Sequence, residues 1–510
     1  MLSKAKPSRA AITDASRDVL TIVIAMVLAA ALSAFYLMHL GPDFADVSSL
    51  LMTGERVLNG EALYKDVRDV NPPFSVWLYL PYAFLQKLTG ISAYVWLGIG
   101  LVAWVGASVF LLNQVLRDGA AVPLQRRRTM LWVIAGLCLI IMPSQFAQRE
   151  HFCAIAALPF LALIGARLQT QYHPRLSTSL IIGAMAASLV ILKPHYAVGF
   201  GLVLLWLAWQ RKDLRLLFVP EALLMAGLTL AYAGSVYLVH PDFIDIMLPI
   251  VVDVYVLKRA PIAALFLLVA LSVAVPLIVS LWIRTSEKET SHFVNVFCLA
   301  GLGFLVAYFF MGKGWTYHLL PTTLSIFVAL VFQICLTESQ NITAVRHRIQ
   351  MAMSGLAFLI AALTSLQGFH PIKIPTQVYA LKDKPSIVLV TPDIGTSVPI
   401  AGRLNAEWTE RYAYDALGAI AAAYAGSATG ERRRLLETYV ATELDNKAAH
   451  IAKVRPDLIV LDKASRQWHD LVVTHHRVAP ILEEYQVIAE RGELTYLALN
   501  DLISSSAPAN

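Results

Sequence analysis

Between positions 41 and 77 the chain sets four aspartates, Asp43, Asp46, Asp66 and Asp69, and an Asn71-Pro72-Pro73 corner just after its first apolar run. A carboxylate held beside a bilayer by short helices can take the proton of an incoming hydroxyl, the work of a general base. Three short turns further on repeat another combination: Gln148-Arg149-Glu150-His151, Lys193-Pro194-His195 and Lys313-Gly314-Trp315-Thr316-Tyr317-His318. Each joins a cation to a histidine, a pairing suited to holding a phosphate and to stabilising charge that grows on a leaving group. Asp242, Asp245, Asp253, Lys258 and Arg259 form one more charged connection. Taken singly, each group has a plain structural reading. A lysine can reach for lipid headgroups, a histidine can be satisfied by packing, Arg149 and Glu150 can pair with each other, and the aspartate stretch can be a solvated connector. Their gathering on one face favours the chemical reading.

That gathering depends on the elements between them. Charged residues make up 15% of the 510 positions and hydrophobic ones 57%, against about 25% charge in a soluble globular protein, so the chain reads as a polytopic α-helical membrane protein. The net charge of +6 comes from basic residues between apolar runs, which marks cytoplasmic loops rather than a nucleic-acid surface. Cys138, Cys153, Cys298 and Cys335 sit inside apolar runs without metal-ligand spacing and read as packing residues. Residues 1–17 are polar and basic, a cytoplasmic tail, and 19–40 is long enough to cross as an uncleaved anchor. The first outer loop then covers 42–91. Its apolar part, 73–89, carries Trp77, Tyr79 and Tyr82 and reads as interfacial, because a crossing there would put the basic loop 117–128 outside. Further spans are expected at 92–116, 129–147, 151–168, 177–193, 195–210, 217–239, 261–284, 293–312, 317–337 and 349–369. This gives about eleven transmembrane helices, N-terminus inside, with Arg167 and Arg175, Arg211, Lys212 and Arg215, Arg284 and Lys288, and Arg346 and Arg348 on the cytoplasmic side. The sequon Asn341-Ile342-Thr343 falls on that side and reads as chance. Residues 371–510 change character: short β-type runs at 386–390, 457–461, 486–489 and 494–499 alternate with helical stretches such as 431–448. They predict a small α/β domain on the outer side. The membrane region, 18–370, shows no internal repeat.

The order of these motifs resembles the GT-C superfamily of membrane glycosyltransferases. The resemblance rests on Asp46 after the first span, on Gly54-Glu55-Arg56-Val57-Leu58-Asn59-Gly60-Glu61-Ala62-Leu63-Tyr64-Lys65-Asp66, and on Asn71-Pro72-Pro73 entering an aromatic helix. Bacterial aminoarabinose transferases and protein O-mannosyltransferases are similar relatives, as are bacterial members with the motifs seen here as Gln148–His151, Lys193–His195 and Trp315–His318. The likeness covers roughly 18–370. It implies a helical bundle with outer-face interfacial helices in the first loop, a polyprenyl-phosphate sugar donor and transfer with inversion. It also implies a base just after the first span: Asp46 by its spacing to Gly60-x-x-Leu63-Tyr64, with Asp43 as the fallback.

On that expectation Arg149, Lys193 and Lys313, with His151, His195 and His318, hold the donor phosphate. Tyr64, Trp77, Trp315 and Tyr317 line the sugar or lipid pocket, although aromatic anchoring at the interface explains them equally well. No cofactor is required, but Asp66 or Asp69 is placed to hold a divalent cation such as Mg, Mn or Ca. The expected partners are the lipid-linked sugar, a hydroxyl acceptor (lipid, glycan or protein) in the cell envelope, and membrane lipid, with no nucleic acid. The expected setting is a bacterial inner membrane, with the site and the C-terminal domain on the periplasmic side. A transporter or flippase for a lipid-linked sugar is the alternative, although such proteins place charges near the midplane and often show repeats. A scaffold leaves the aspartates and basic turns unexplained.

Overall fold

In lipid, backbone N–H and C=O groups find partners only within their own helix, and the apolar runs form helices accordingly. The structure is a computed structural model and describes residues 41–120, 122–282, 288–336, 344–366 and 372–506. The tail 1–17, the span 19–40, Arg284, the sequon Asn341-Ile342-Thr343 and the domain boundary at 370 lie outside the described residues. Seven helices are long and apolar enough to cross a membrane: Ala93–Gly119, Arg149–Thr170, Pro220–Val239, Ile262–Trp282, His292–Met311, Thr316–Leu336 and Arg348–Ser365. Their outward faces present large apolar side chains, among them Phe110, Leu230, Phe266, Ile278, Phe310 and Leu359, as a surface solvated by hydrocarbon would.

Three expected spans form shorter helices, so crossing by all ten runs of the described chain is not established by length. Leu124–Ile140 has 17 residues, Leu176–Leu192 has 17 and Ala197–Arg211 has 15. The first stops well before 147 because Pro143 opens a 3₁₀ turn, Pro143–Gln145. The other two are divided by the 3₁₀ turn Pro194–Tyr196, since a proline ring cannot continue the ladder of the preceding helix.

Arg149–Thr170 is the axle of the bundle, buried along the crossing length. It is enclosed by Ala93–Gln114, Leu176–Leu192, Ala197–Arg211, Lys288–Met311 and Leu320–Leu336. Two of these meet glycine on glycine: a Cβ on Gly303 would stand 2.4 Å from the Gly199 Cα, the close backbone approach that small residues permit in membranes. At the far end of the axle, Arg167 pairs with buried Glu221 through Nε to Oε1 at 3.0 Å and Nη2 to Oε2 at 3.2 Å. Arg211 donates to the helix's last carbonyls, Arg167 O and Leu168 O, at 2.8 and 2.6 Å.

The first loop holds three helices, Ala45–Leu58, Phe74–Trp77 and Leu80–Thr89. The expected interfacial run 73–89 is thus two short helices, neither long enough to cross. The C-terminal domain carries a five-stranded sheet of β1 (Ser386–Val390), β2 (Glu407–Trp408), β3 (Leu458–Asp462), β4 (Tyr485–Arg491) and β5 (Leu494–Leu499), in the order β2-β1-β3-β5-β4. β1 runs parallel to β2 and β3, and β5 is antiparallel to β3 and β4. β1 and β3 read as apolar runs because both are buried along their length. The two-residue β2 has no such signature, and its pairing was not anticipated.

An ion pair and two hydrogen bonds help to seat this domain on the loops. Arg403 grips Asp43, the Arg68 N–H donates to Arg411 O at 2.7 Å, and the Tyr439 hydroxyl donates to Asp253 at 3.2 Å.

Candidate active site

Asp46 lies in the first turn of Ala45–Leu58, the end of a helix where a carboxylate is favoured by the dipole. Gln148 Nε2 donates to its Oδ2 at 3.2 Å, and it makes no ion pair among the described residues. Part of its side chain opens onto a cavity while the rest is deep among protein atoms. That burial pushes its pKa up, outweighing the nearby Arg149 guanidinium and the Gln148 bond, which both pull it down. Asp43 is different. Its carboxylate is gripped by Arg403, Nη2 to Oδ2 at 2.5 Å and Nε to Oδ1 at 3.2 Å, which spends it on holding the C-terminal domain. Between the two aspartates left open by the sequence, only Asp46 has a carboxylate uncommitted to a cation.

The cavity at Asp46 measures about 360 Å³. One wall is Gln148 and Arg149, where the axle helix begins; Arg149 is 2% exposed and donates to Ser75 Oγ at 3.3 Å. The facing wall is Tyr255 and Lys258, with Trp315 and Tyr317 beside them. The C-terminal domain roofs it with Asp393, Ile394, Gly395 and Tyr414. Helices Ala45–Leu58, Arg149–Thr170 and Ile394–Arg403 all begin at this lining, adding the partial positive charge of their N-termini to the two cationic side chains, although Asp393 caps the third by accepting from Gly395 N–H at 3.1 Å.

Several expected phosphate contacts stand behind this wall rather than on it. Lys193 pairs with the wholly buried Glu150, which also has Arg149 Nε at 3.9 Å, and its ammonium lies 5.2 Å from the Tyr317 ring centre. Lys313 donates to Tyr255 O at 2.6 Å and Lys258 O at 2.8 Å and sits 4.0 Å over the Tyr255 ring. Burial and the charges of Lys258 and Arg259 push its pKa down to about 8. Next to it Gly314 has φ +72°, and a Cβ there would meet the Ala260 Cβ at 2.7 Å, so only glycine lets Lys313 fold over this loop. Lys313 therefore shapes the segment that presents Lys258.

The histidines are also displaced from their expected role. His151 accepts from Ala147 N–H through Nδ1 at 3.1 Å and meets Cys138 O through Nε2 at 2.5 Å, leaving no ring nitrogen for a ligand. His195 contacts Met311 Sδ at 3.2 Å and packs on Phe310. His318 is buried behind Trp315 and Tyr317, with ring centres 5.5 and 4.5 Å away.

Asp69 Oδ1 accepts from the Asn71 backbone and side-chain N–H groups, each at 2.7 Å, and holds the Asn-Pro-Pro corner. Asp66 accepts from Ala62 N–H at 3.0 Å and opens on a different cavity. The two therefore do not form one carboxylate pair at Asp46, and among the described residues no three His, Cys, Asp or Glu side chains form a metal-holding group. Of the expected aromatic lining, Trp315 and Tyr317 are on the wall. Tyr64 packs on Phe243 and donates to Asn71 O at 2.7 Å, and Trp77 packs on Tyr232 and His240.

The residues that sequence reasoning did not assign to the site are Gln148, Tyr255, Lys258, Asp393 and Tyr414. Lys258 did carry a signal, as a cation in a loop near the membrane. Searches for similar proteins gave no support for a family: no family model matches this chain, and no curated protein matches it.

Proposed function

We propose that the chain is an inverting glycosyltransferase of the GT-C type, moving a sugar from a polyprenyl-phosphate donor to a hydroxyl acceptor at the outer face of a bacterial inner membrane. The observation that carries this reading is Asp46: a carboxylate without an ion pair among the described residues, its proton affinity raised by burial, open to a cavity that also holds Arg149 and Lys258. A raised pKa brings a base closer to neutral pH, where proton transfer is driven best. Asp46 takes the acceptor hydroxyl's proton as that oxygen bonds to the anomeric carbon. The bond from that carbon to the phosphate oxygen breaks, and the prenyl phosphate leaves with the electron pair. Arg149 and Lys258 meet the charge it gains, an interaction strongest in the transition state. Trp315 and Tyr317 offer the sugar flat apolar faces. Lys193 and Lys313 act indirectly, the first by neutralising Glu150 beside Arg149, the second by holding the Lys258 loop. A divalent ion at Asp69 would add to this charge, and no step above requires one.

The same reading takes about eleven spans, N-terminus inside, and sets the C-terminal domain over the site on the periplasmic side. The test compares envelope glycolipids and polysaccharides by mass spectrometry in three strains: intact, deleted, and carrying Asp46→Asn. Loss of one and the same sugar from the last two is the expected result. If deletion alters the glycans while Asp46→Asn leaves them intact, the chain moves lipid-linked sugar rather than joining it, or another group is the base.

A further inference from the structure

A second cavity, of about 550 Å³ and larger than the one at Asp46, lies between the first loop and the domain, bounded by Arg56 and Asp66 on one side and by Arg411, Glu443, Asn446 and His450 on the other. Between the two lies a neck, a small pocket of about 20 Å³ whose lining includes Asp46, Arg68, Asp69, Asn71, Tyr412 and Tyr414. It shares Asp46, Asn71 and Tyr414 with the lining of the central cavity, and Arg68 and Tyr412 with that of the second cavity. At this neck Arg68 Nη1 donates to the Tyr412 hydroxyl at 3.2 Å, with the guanidinium 5.6 Å from the ring centre. The buried Arg68 Nε has no acceptor among the described residues.

The charge on the second wall is balanced. Its Arg and Lys side chains number five and its Asp and Glu side chains also five. Some are already matched: Arg56 with Glu61, and Lys447 with Glu410 and Asp415. Such a wall gives little net field to draw in an anion or a cation. It offers both hydrogen-bond donors and acceptors, with the Tyr412 ring among them, which suits a ligand rich in hydroxyl groups. Glu443, pushed up to about 7 by burial and by Asp415, can both donate and accept near neutral pH.

We propose that this second cavity is the acceptor site and that it takes a neutral oligosaccharide, whose terminal hydroxyl passes the Arg68–Tyr412 neck to reach Asp46. The proposal rests on the glycosyltransferase reading for the role of the ligand, but binding itself can be measured without any transfer. The full chain in lipid nanodiscs is applied to an array of neutral oligosaccharides of two to six hexoses, beside uronic-acid-containing and peptide probes. Asn446 is exposed on the helix Gly430–Val454, so Asn446→Trp fills the cavity without disturbing the core, and an unchanged melting temperature verifies this. The expected result is retention of neutral oligosaccharides by the wild type and by Asp46→Asn, and at least a tenfold weakening by Asn446→Trp. Retention of no oligosaccharide, retention of charged or peptide probes alone, or equal binding by Asn446→Trp overturns the proposal. Failure of the glycosyltransferase reading appears elsewhere, as an Asp46→Asn strain with intact glycans.

Discussion

The two cavities flanking the first loop differ in how they treat charge. In the central cavity the cations Arg149 and Lys258 share the wall with Asp46, Asp43 and Asp393; Asp43 is held by Arg403, Asp46 has no ion pair among the described residues, and the ion pair of Lys193 with Glu150 is drawn back behind the wall. In the second cavity positive and negative side chains are equal in number and several are paired across the wall. An unbalanced, partly desolvated site does work on a reacting bond, because fixed charge there is not screened by its own counter-ion. A balanced one holds a ligand without altering it. The comparison divides the molecule into a place for chemistry and a place for recognition, with Asp46 at the border of both.

Variants at each place should therefore fail in different assays. The largest effect is expected from Asp46→Asn: a loss of transfer of about 10²–10⁴-fold, measured as product formed by the purified protein, with a melting temperature no lower than the wild type's because the change removes a desolvated charge. Next is Lys193→Ala, which leaves the buried Glu150 carboxylate with Arg149 alone at 3.9 Å and should cost up to about 3 kcal/mol of stability, read by denaturation in detergent. Pairing it with Glu150→Gln should recover most of that loss.

In the second cavity the sign of the effect depends on pH. Glu443 has a folded pKa near 7, above the 4.5 of an ordinary Glu, so the folded state holds a proton that the unfolded state has lost between those values. Its contribution to stability is present below pH 4.5 and is lost as pH rises through 7. Glu443→Gln should then stabilise the protein at pH 8, by on the order of 3 kcal/mol or less, and change nothing at pH 4, as thermal melting at the two pH values would record. The smallest effect is that of Lys258→Ala, about a tenfold fall in kcat/KM with oligosaccharide binding untouched.

Much of the central site could be read before the fold was known, because a charge in an apolar chain stands out. Asp46, Arg149, Trp315 and Tyr317 were legible this way, as were the strands β1 and β3 and the apolar helices. What was hidden is whatever depends on a distant partner. Nothing near Asp43 announces Arg403, which is 360 positions away, yet that pair decides which aspartate stays open. The motif Gln148–His151 shows a cation and a histidine side by side. Two residues along the helix, His151 turns toward Cys138 O while Arg149 faces the cavity. Lys193 looked like a phosphate ligand because its counter-ion, Glu150, belongs to another helix. The roof residues Asp393 and Tyr414 lie in loops of a soluble-looking domain, where polar side chains carry no signal of their own.

The most direct measurement sets Asp46→Asn beside Asp43→Asn, scoring each for transfer to the envelope glycan and for melting in detergent. The account predicts that Asp46→Asn melts no earlier than the wild type and loses transfer by about 10²–10⁴-fold, whereas Asp43→Asn melts earlier, having lost its hold on Arg403, and still transfers sugar. An active Asp46→Asn protein, or an Asp43→Asn protein that keeps its melting temperature and loses transfer, would contradict the assignment of the base.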